Sequence, residues 1–174
     1  MRNWQTVAFL GLFNYLLLIG VNLVSDAIAP WSIALHAEVL LLVFPALMLR
    51  VLPGLSYCLL IALLLASLRP LDATPTLISI LLIYHLLILF RGRLLPRNLS
   101  RIGIHCAALQ LANVLFLSLW FYPDSADVTE YWIRCLSEGA LSALFVGAFS
   151  GLWFHWQGVI ITEMGQIQNA PANS

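Results

Sequence analysis

The chain contains no lysine. All eight of its basic residues are arginine. Charged residues make up only 9% of its 174 positions, against about 25% in an ordinary soluble domain. A chain so poor in charge cannot clothe a water-facing globule, and a few arginines gathered in one loop exclude nucleic-acid binding. Cysteine is scarce as well. Cys58, Cys106 and Cys135 are odd in number, unclustered and set in or near apolar runs. That pattern excludes a disulfide framework and a zinc site and leaves them as small packing residues. A nucleotide-binding loop, a nucleophile with a paired base and an acid cluster of the two-metal kind are all missing. The sequence therefore assigns no catalytic, cofactor-binding or metal-binding residue, and it points away from an enzyme.

What is present is a rhythm of six long apolar runs in a chain that is 61% hydrophobic. Its six tryptophans, Trp4, Trp31, Trp120, Trp132, Trp153 and Trp156, lie near the run ends, where an aromatic belt at the two membrane–water boundaries would place them. A hydrocarbon core about 30 Å thick takes roughly 20 apolar residues per helix, so six spans occupy most of the chain. The expected fold is all-α: a polytopic membrane helical bundle of about six transmembrane helices over residues 5–24, 31–49, 54–68, 75–90, 102–121 and 131–157. Residues 1–157 form the transmembrane domain, and 158–174 form a polar cytoplasmic tail, partly disordered. The stretch Val7–Val24 followed by Ala27-Ile28-Ala29 resembles a secretory signal. It is too long for one and Pro30 follows the would-be cut, so it is taken as an uncleaved first span. The spans at 54–68 and 75–90 are short, and either cross a thinned bilayer or dip in as a re-entrant pair.

Positive residues resist translocation, so the arginines set the orientation. With the N-terminus inside, Arg2, Arg50, Arg91, Arg93, Arg97 and Arg101 all stay cytoplasmic, while Arg69 and the acids Asp26, Asp72, Asp124, Asp127 and Glu130 face out. Both termini are expected inside.

Within the membrane, small residues recur at four-residue spacing on two helices. These are Gly54, Cys58, Ala62 and Ala66 on the third span, and Gly139, Ala143, Gly147 and Gly151 on the sixth. Such stripes let backbones approach closely, either within the bundle or against another protein; the sixth helix is the better candidate for a partner. Arg134 and Glu138, one turn apart, form a local ion pair or meet a partner outside the membrane. Glu38, about midway along the second span with His36 nearby, is the most informative polar residue. Its partners are sought among Asn14, Asn22, Gln110 and Asn113, for a structural hydrogen bond, a substrate or proton role, or a partner contact. His36, His85, His105 and His155 fall on four different spans, where interfacial or hydrogen-bonded roles outweigh haem ligation.

The order of elements resembles the rod shape-determining protein MreD family. The resemblance runs from the leucine-rich second span through Leu52-Pro53-Gly54, two short spans and the basic stretch Phe90-Arg91-Gly92-Arg93-Leu94-Leu95-Pro96-Arg97. It continues to the small-residue-rich Ser137–Gly151 and the closing Leu152-Trp153-Phe154. The family's glycine-rich third span closed by an acidic residue is not matched, since Leu63–Pro70 contains neither. The resemblance implies a noncatalytic subunit of the cell-elongation machinery in the bacterial inner membrane, beside MreC-like and other elongation-complex membrane proteins. Arg91, Arg93, Arg97 and Arg101 would then be the cytoplasmic contact surface and the sixth helix a lateral one. The alternative is a substrate-binding membrane subunit of a vitamin-type transporter, with a small molecule bound in a polar pocket lined by Glu38, Asn22 or Trp31.

Overall fold

A computed structural model describes residues 2–31, 33–68, 73–94, 99–122 and 127–163; most of these are helical and none lies in a strand. In chain order the helices are α1 (Arg2–Ile28), α2 (Glu38–Met48), α3 (Val51–Leu68), α4 (Ala73–Leu89), the single turn α5 (Arg91–Leu94), α6 (Leu99–Trp120) and α7 (Val128–Glu163). A short 3-10 turn, Ala29–Trp31, closes α1.

Polarity is arranged the reverse of a soluble protein's. Asn14, Glu38, Gln110, Asn113, Ser142 and Gln157 are buried, while Leu12, Ile104 and Leu144 are exposed by 62%, 68% and 72%. The bundle thus turns its hydrogen-bonding groups inward and offers hydrocarbon outward, as a lipid solvent demands. Four helices are long and apolar enough to cross a membrane, within Val7–Ile28, Thr74–Gly92, Arg101–Trp120 and Val128–Thr162. These correspond to the first, fourth, fifth and sixth expected spans. At 36 residues α7 is about 54 Å long. It continues six residues past the expected end of the sixth span, so the segment assigned to a polar tail begins as helix; residues 164–174 lie outside the described residues.

The second span is corrected. In place of a helix over 31–49, residues 33–37 run without helical hydrogen bonding and only Glu38–Met48 is helical. Eleven residues of helix cover about 16 Å, half a bilayer. The five residues before this helix are non-helical, with Ala37 at φ −141° and ψ 27°. Every residue from Glu38 to Leu47 is buried. The half-helix is the axis of the bundle, packed against α3, α4, α6 and α7.

Both ends of α2 and its middle need help from side chains. Pro45 has no N–H, so the carbonyl of Leu41 loses its helical donor; the Asn14 amide approaches that oxygen at 3.5 Å. At the C-terminal end Arg91 Nη1 donates to Leu49 O at 3.0 Å, placing a cation where the helix dipole favours one. At the N-terminal end Glu38 supplies the complementary acid in the first turn.

The small-residue stripes are taken up inside the chain. A Cβ at Gly139 would touch Leu111 and Val114 of α6, and one at Gly147 would meet Ala107 Cβ at 3.1 Å. Gly139 and Gly147 therefore seat α6 against α7; Ala143 is half-buried and Gly151 buried on the same helix. On α3, Gly54 passes directly under the Tyr84 phenol of α4, whose hydroxyl donates to Val51 O at 3.2 Å.

Candidate functional site

The candidate site is the polar node at the broken N-terminal half of the second segment. Its origin is local: an unwound stretch in a buried position exposes N–H groups that no helix satisfies, and each must find an acceptor. Distant side chains supply them. Ala34 N–H donates to Glu138 Oε1 at 3.1 Å, Leu35 N–H to Ser25 Oγ at 3.1 Å and His36 N–H to Ser142 Oγ at 3.0 Å. The first turn of α2 is completed by Val39 N–H donating to Gln110 Oε1 at 3.1 Å.

Glu38 sits at the centre. Its Oε2 accepts from Gln110 Nε2 at 2.8 Å and, more loosely, from Asn113 Nδ2 at 3.5 Å. Its Oε1 lies 3.4 Å from His36 Nδ1. Gln110 is thereby used at both ends of its amide, accepting from the backbone and donating to the carboxyl. Of the four residues named from sequence as possible partners of Glu38, α6 contributes the two that meet it. Asn22 is exposed on α1, and Asn14 belongs to a second node.

Asn14 is the centre of that second node. Asn14 Nδ2 donates to Tyr57 Oη at 2.6 Å, and its Oδ1 accepts from Trp153 Nε1 at 3.1 Å and Gln157 Nε2 at 2.9 Å. One amide ties α1 to α2, α3 and α7. Trp153 also stacks on Phe13 with ring centroids 4.7 Å apart. It is half-buried and hydrogen-bonded into the bundle. Trp120 and Trp156 are exposed and Trp132 is half-buried; the side chains of Trp4 and Trp31 lie outside the described residues.

The remaining expected site residues divide. Arg134 Nε and Glu138 Oε1 form the expected one-turn pair at 3.0 Å, and the same oxygen holds Ala34 N–H. Glu138 is therefore an anchor for the unwound segment as well as an ion-pair partner. Arg91 caps α2, Arg101 is exposed, and the side chain of Arg93 and the whole of Arg97 lie outside the described residues. The three cysteines are buried and free. No group of three or more metal-ligating side chains occurs among the described residues.

The geometry makes Glu38 a hydrogen-bond acceptor that locks α2 to α6. Glu38→Gln keeps an acceptor for Gln110 and is expected to cost less than about 1 kcal/mol. Glu38→Leu strands the Gln110 amide in an apolar interior and is expected to cost about 2–3 kcal/mol. Equilibrium unfolding in lipid–detergent micelles separates the two, and equal losses would contradict the acceptor role.

No family model, curated protein or solved structure matches the chain.

Proposed function

We propose that the chain is a noncatalytic subunit of a bacterial cell-elongation complex in the inner membrane, acting by protein–protein contacts. In this reading it crosses the bilayer six times, the second time as a non-helical stretch followed by a half-helix, with both termini cytosolic. The observation that carries the noncatalytic part is the engagement of the residues at the centres of the two nodes, while Asn113 Oδ1, Ser150 Oγ and Gln157 Oε1 are buried without a hydrogen-bond partner among the described residues. Glu38, Gln110 and Asn14 are each bound to other side chains or to backbone. The cavity that reaches Asn113 between α4 and α6 measures about 50 Å³, room for a water, whereas ligand pockets run to about 300–1,000 Å³. Polar chemistry here holds an irregular backbone together. The link to cell elongation rests on the MreD-like order of elements, with the exposed Arg101 and its neighbours in the arginine loop as the cytoplasmic contact surface. Depletion is expected to round rod-shaped cells, and affinity purification from solubilised membranes to recover an MreC-like protein. Cells that keep their shape, with no elongation protein copurifying, would end this reading.

A second reading, a vitamin-type substrate-binding subunit, draws on the half-helix α2, since discontinuous helices with buried polar ends line many transport sites. It requires a small molecule to bind purified protein tightly and to lose affinity on Glu38→Gln.

A further inference from the structure

The first helix has a face the bundle does not use. Val7, Leu10, Asn14, Leu18 and Val21 point inward and are buried. On another side, Ala8, Leu12, Tyr15, Ile19 and Asn22 are all exposed, at alternating spacings of four and three residues. That is the spacing of a coiled-coil seam, the pattern by which one helix meets another along its length.

Two members of the seam are polar. Tyr15 and Asn22 lie on either side of the centre of the apolar stretch Val7–Ile28, two turns apart, at depths where a spanning helix is far from water. Neither side chain makes a hydrogen bond among the described residues. A phenol or an amide facing hydrocarbon without a partner is costly, and between membrane helices such groups act as interhelical hydrogen-bonding sites. The seam also borders a groove, walled on one side by Ala8, Leu12 and Tyr15 and on the other by Leu60 and Leu63 of α3. Gly11 forms its floor, where an added Cβ would lie 3.3 Å from Leu60.

We propose that this seam is the interface of a parallel homodimer, with α1 of each copy lying in the α1–α3 groove of the other. The chemistry of the two polar residues selects a second copy over a different helix. All copies insert in one direction, so a two-fold axis along the membrane normal sets each seam residue opposite its own image at equal depth. A carboxamide and a phenol are each both donor and acceptor, so each pairs with itself. An unrelated helix would have to supply matching polar groups at both depths. The arrangement is closed: placing α1 of one copy in the groove of the other automatically places the second α1 in the groove of the first. The inference requires α1 to cross the membrane and is independent of the cell-elongation reading.

The test uses the full-length chain in membranes. Leu12→Cys and Ile19→Cys place thiols on the seam, and Leu144→Cys on α7 is the control, being more exposed than either; the native cysteines are buried. Mild oxidation is expected to give covalent dimers at positions 12 and 19 and not at 144. Adding Tyr15→Phe and Asn22→Leu is expected to reduce dimer about fivefold or more. Because neither side chain bonds among the described residues, the thermal stability of the monomer should stay unchanged. Equal cross-linking at 144, or none at 12 and 19, overturns the proposal. So do adducts of the seam cysteines with a different protein only, and a photoreactive group at position 19 that labels lipid acyl chains alone.

Discussion

Asn14→Leu is expected to lower the stability of the bundle by about 2–4 kcal/mol, more than any other single side-chain change at the two polar nodes. The substitution is close in volume, so the loss is almost wholly one of hydrogen bonding. It leaves Tyr57 Oη, Trp153 Nε1 and Gln157 Nε2 without the partner each now has, and takes away the amide beside the Leu41 carbonyl that Pro45 exposes. Interhelical hydrogen bonds in membrane proteins are individually modest, averaging about 0.6 kcal/mol and reaching about 1.7. Four of them on one residue add to the range given. A double-mutant cycle with Tyr57→Phe sharpens the test. Because the two side chains bond directly, the double variant should be less destabilised than the sum of the singles by about 0.5–1 kcal/mol. A loss below about 0.5 kcal/mol for Asn14→Leu, with strict additivity in the cycle, would mean that the node does not hold α1 to the bundle.

The difference between α1 and α2 shows how far the sequence alone can be read. Hydropathy located α1, α4, α6 and α7 because a helix long enough to cross a bilayer is apolar on nearly every face. The same property hid the break in the second span. Residues Ile33–Ala37 are apolar enough to pass as helix, and what unwinds them is not local. The acceptors for Ala34 and His36 are Glu138 and Ser142, 104 and 106 residues away. The available sign was His36 and Glu38 inside an apolar run, taken as a buried acid on a continuous helix rather than as the start of a half-helix. Glu138 and Ser142 share a face of α7 at four-residue spacing, a pattern that makes sense only once the unwound strand is laid beside it.

Trp153 illustrates a related limit. Its position along the chain suggested the interface, whereas its rotation about α7, with Gln157 one turn on, aims it at Asn14. Distance along a helix is legible from sequence, but the direction a side chain takes depends on the neighbour. The Glu38 node was half legible for the same reason. An intramembrane acid demands a partner, and the short list of amides contained Gln110 and Asn113 without distinguishing them from Asn14 and Asn22.

The glycine stripe on α7 was legible as a close-packing surface, but not its partner, although Gly103 and Ala107 on α6 repeat the same four-residue spacing. Their meeting gives the second large expected effect: Gly103→Ala should cost about 2–3 kcal/mol. A Cβ at Gly103 would lie 2.6 Å from the carbonyl oxygen of Gly147, a backbone atom that no side-chain rotation can move. The helices must separate, and α6 carries Gln110 and Asn113 away from Glu38, while the Glu138 and Ser142 acceptors on α7 shift relative to the unwound segment. Gly147→Ala meets Ala107 Cβ at 3.1 Å, a milder overlap that a few tenths of an ångström relieve, and should cost about 1 kcal/mol. Gly20→Ala is the internal reference. Nothing lies within 4 Å of its added Cβ, so the substitution should stabilise the helix by about 0.5–1 kcal/mol through reduced backbone freedom alone. Equilibrium unfolding of the three variants under one condition checks the order. If Gly103→Ala behaves like Gly20→Ala, the α6–α7 backbone crossing is looser than the structure has it, and the support it gives to the Glu38 node goes with it.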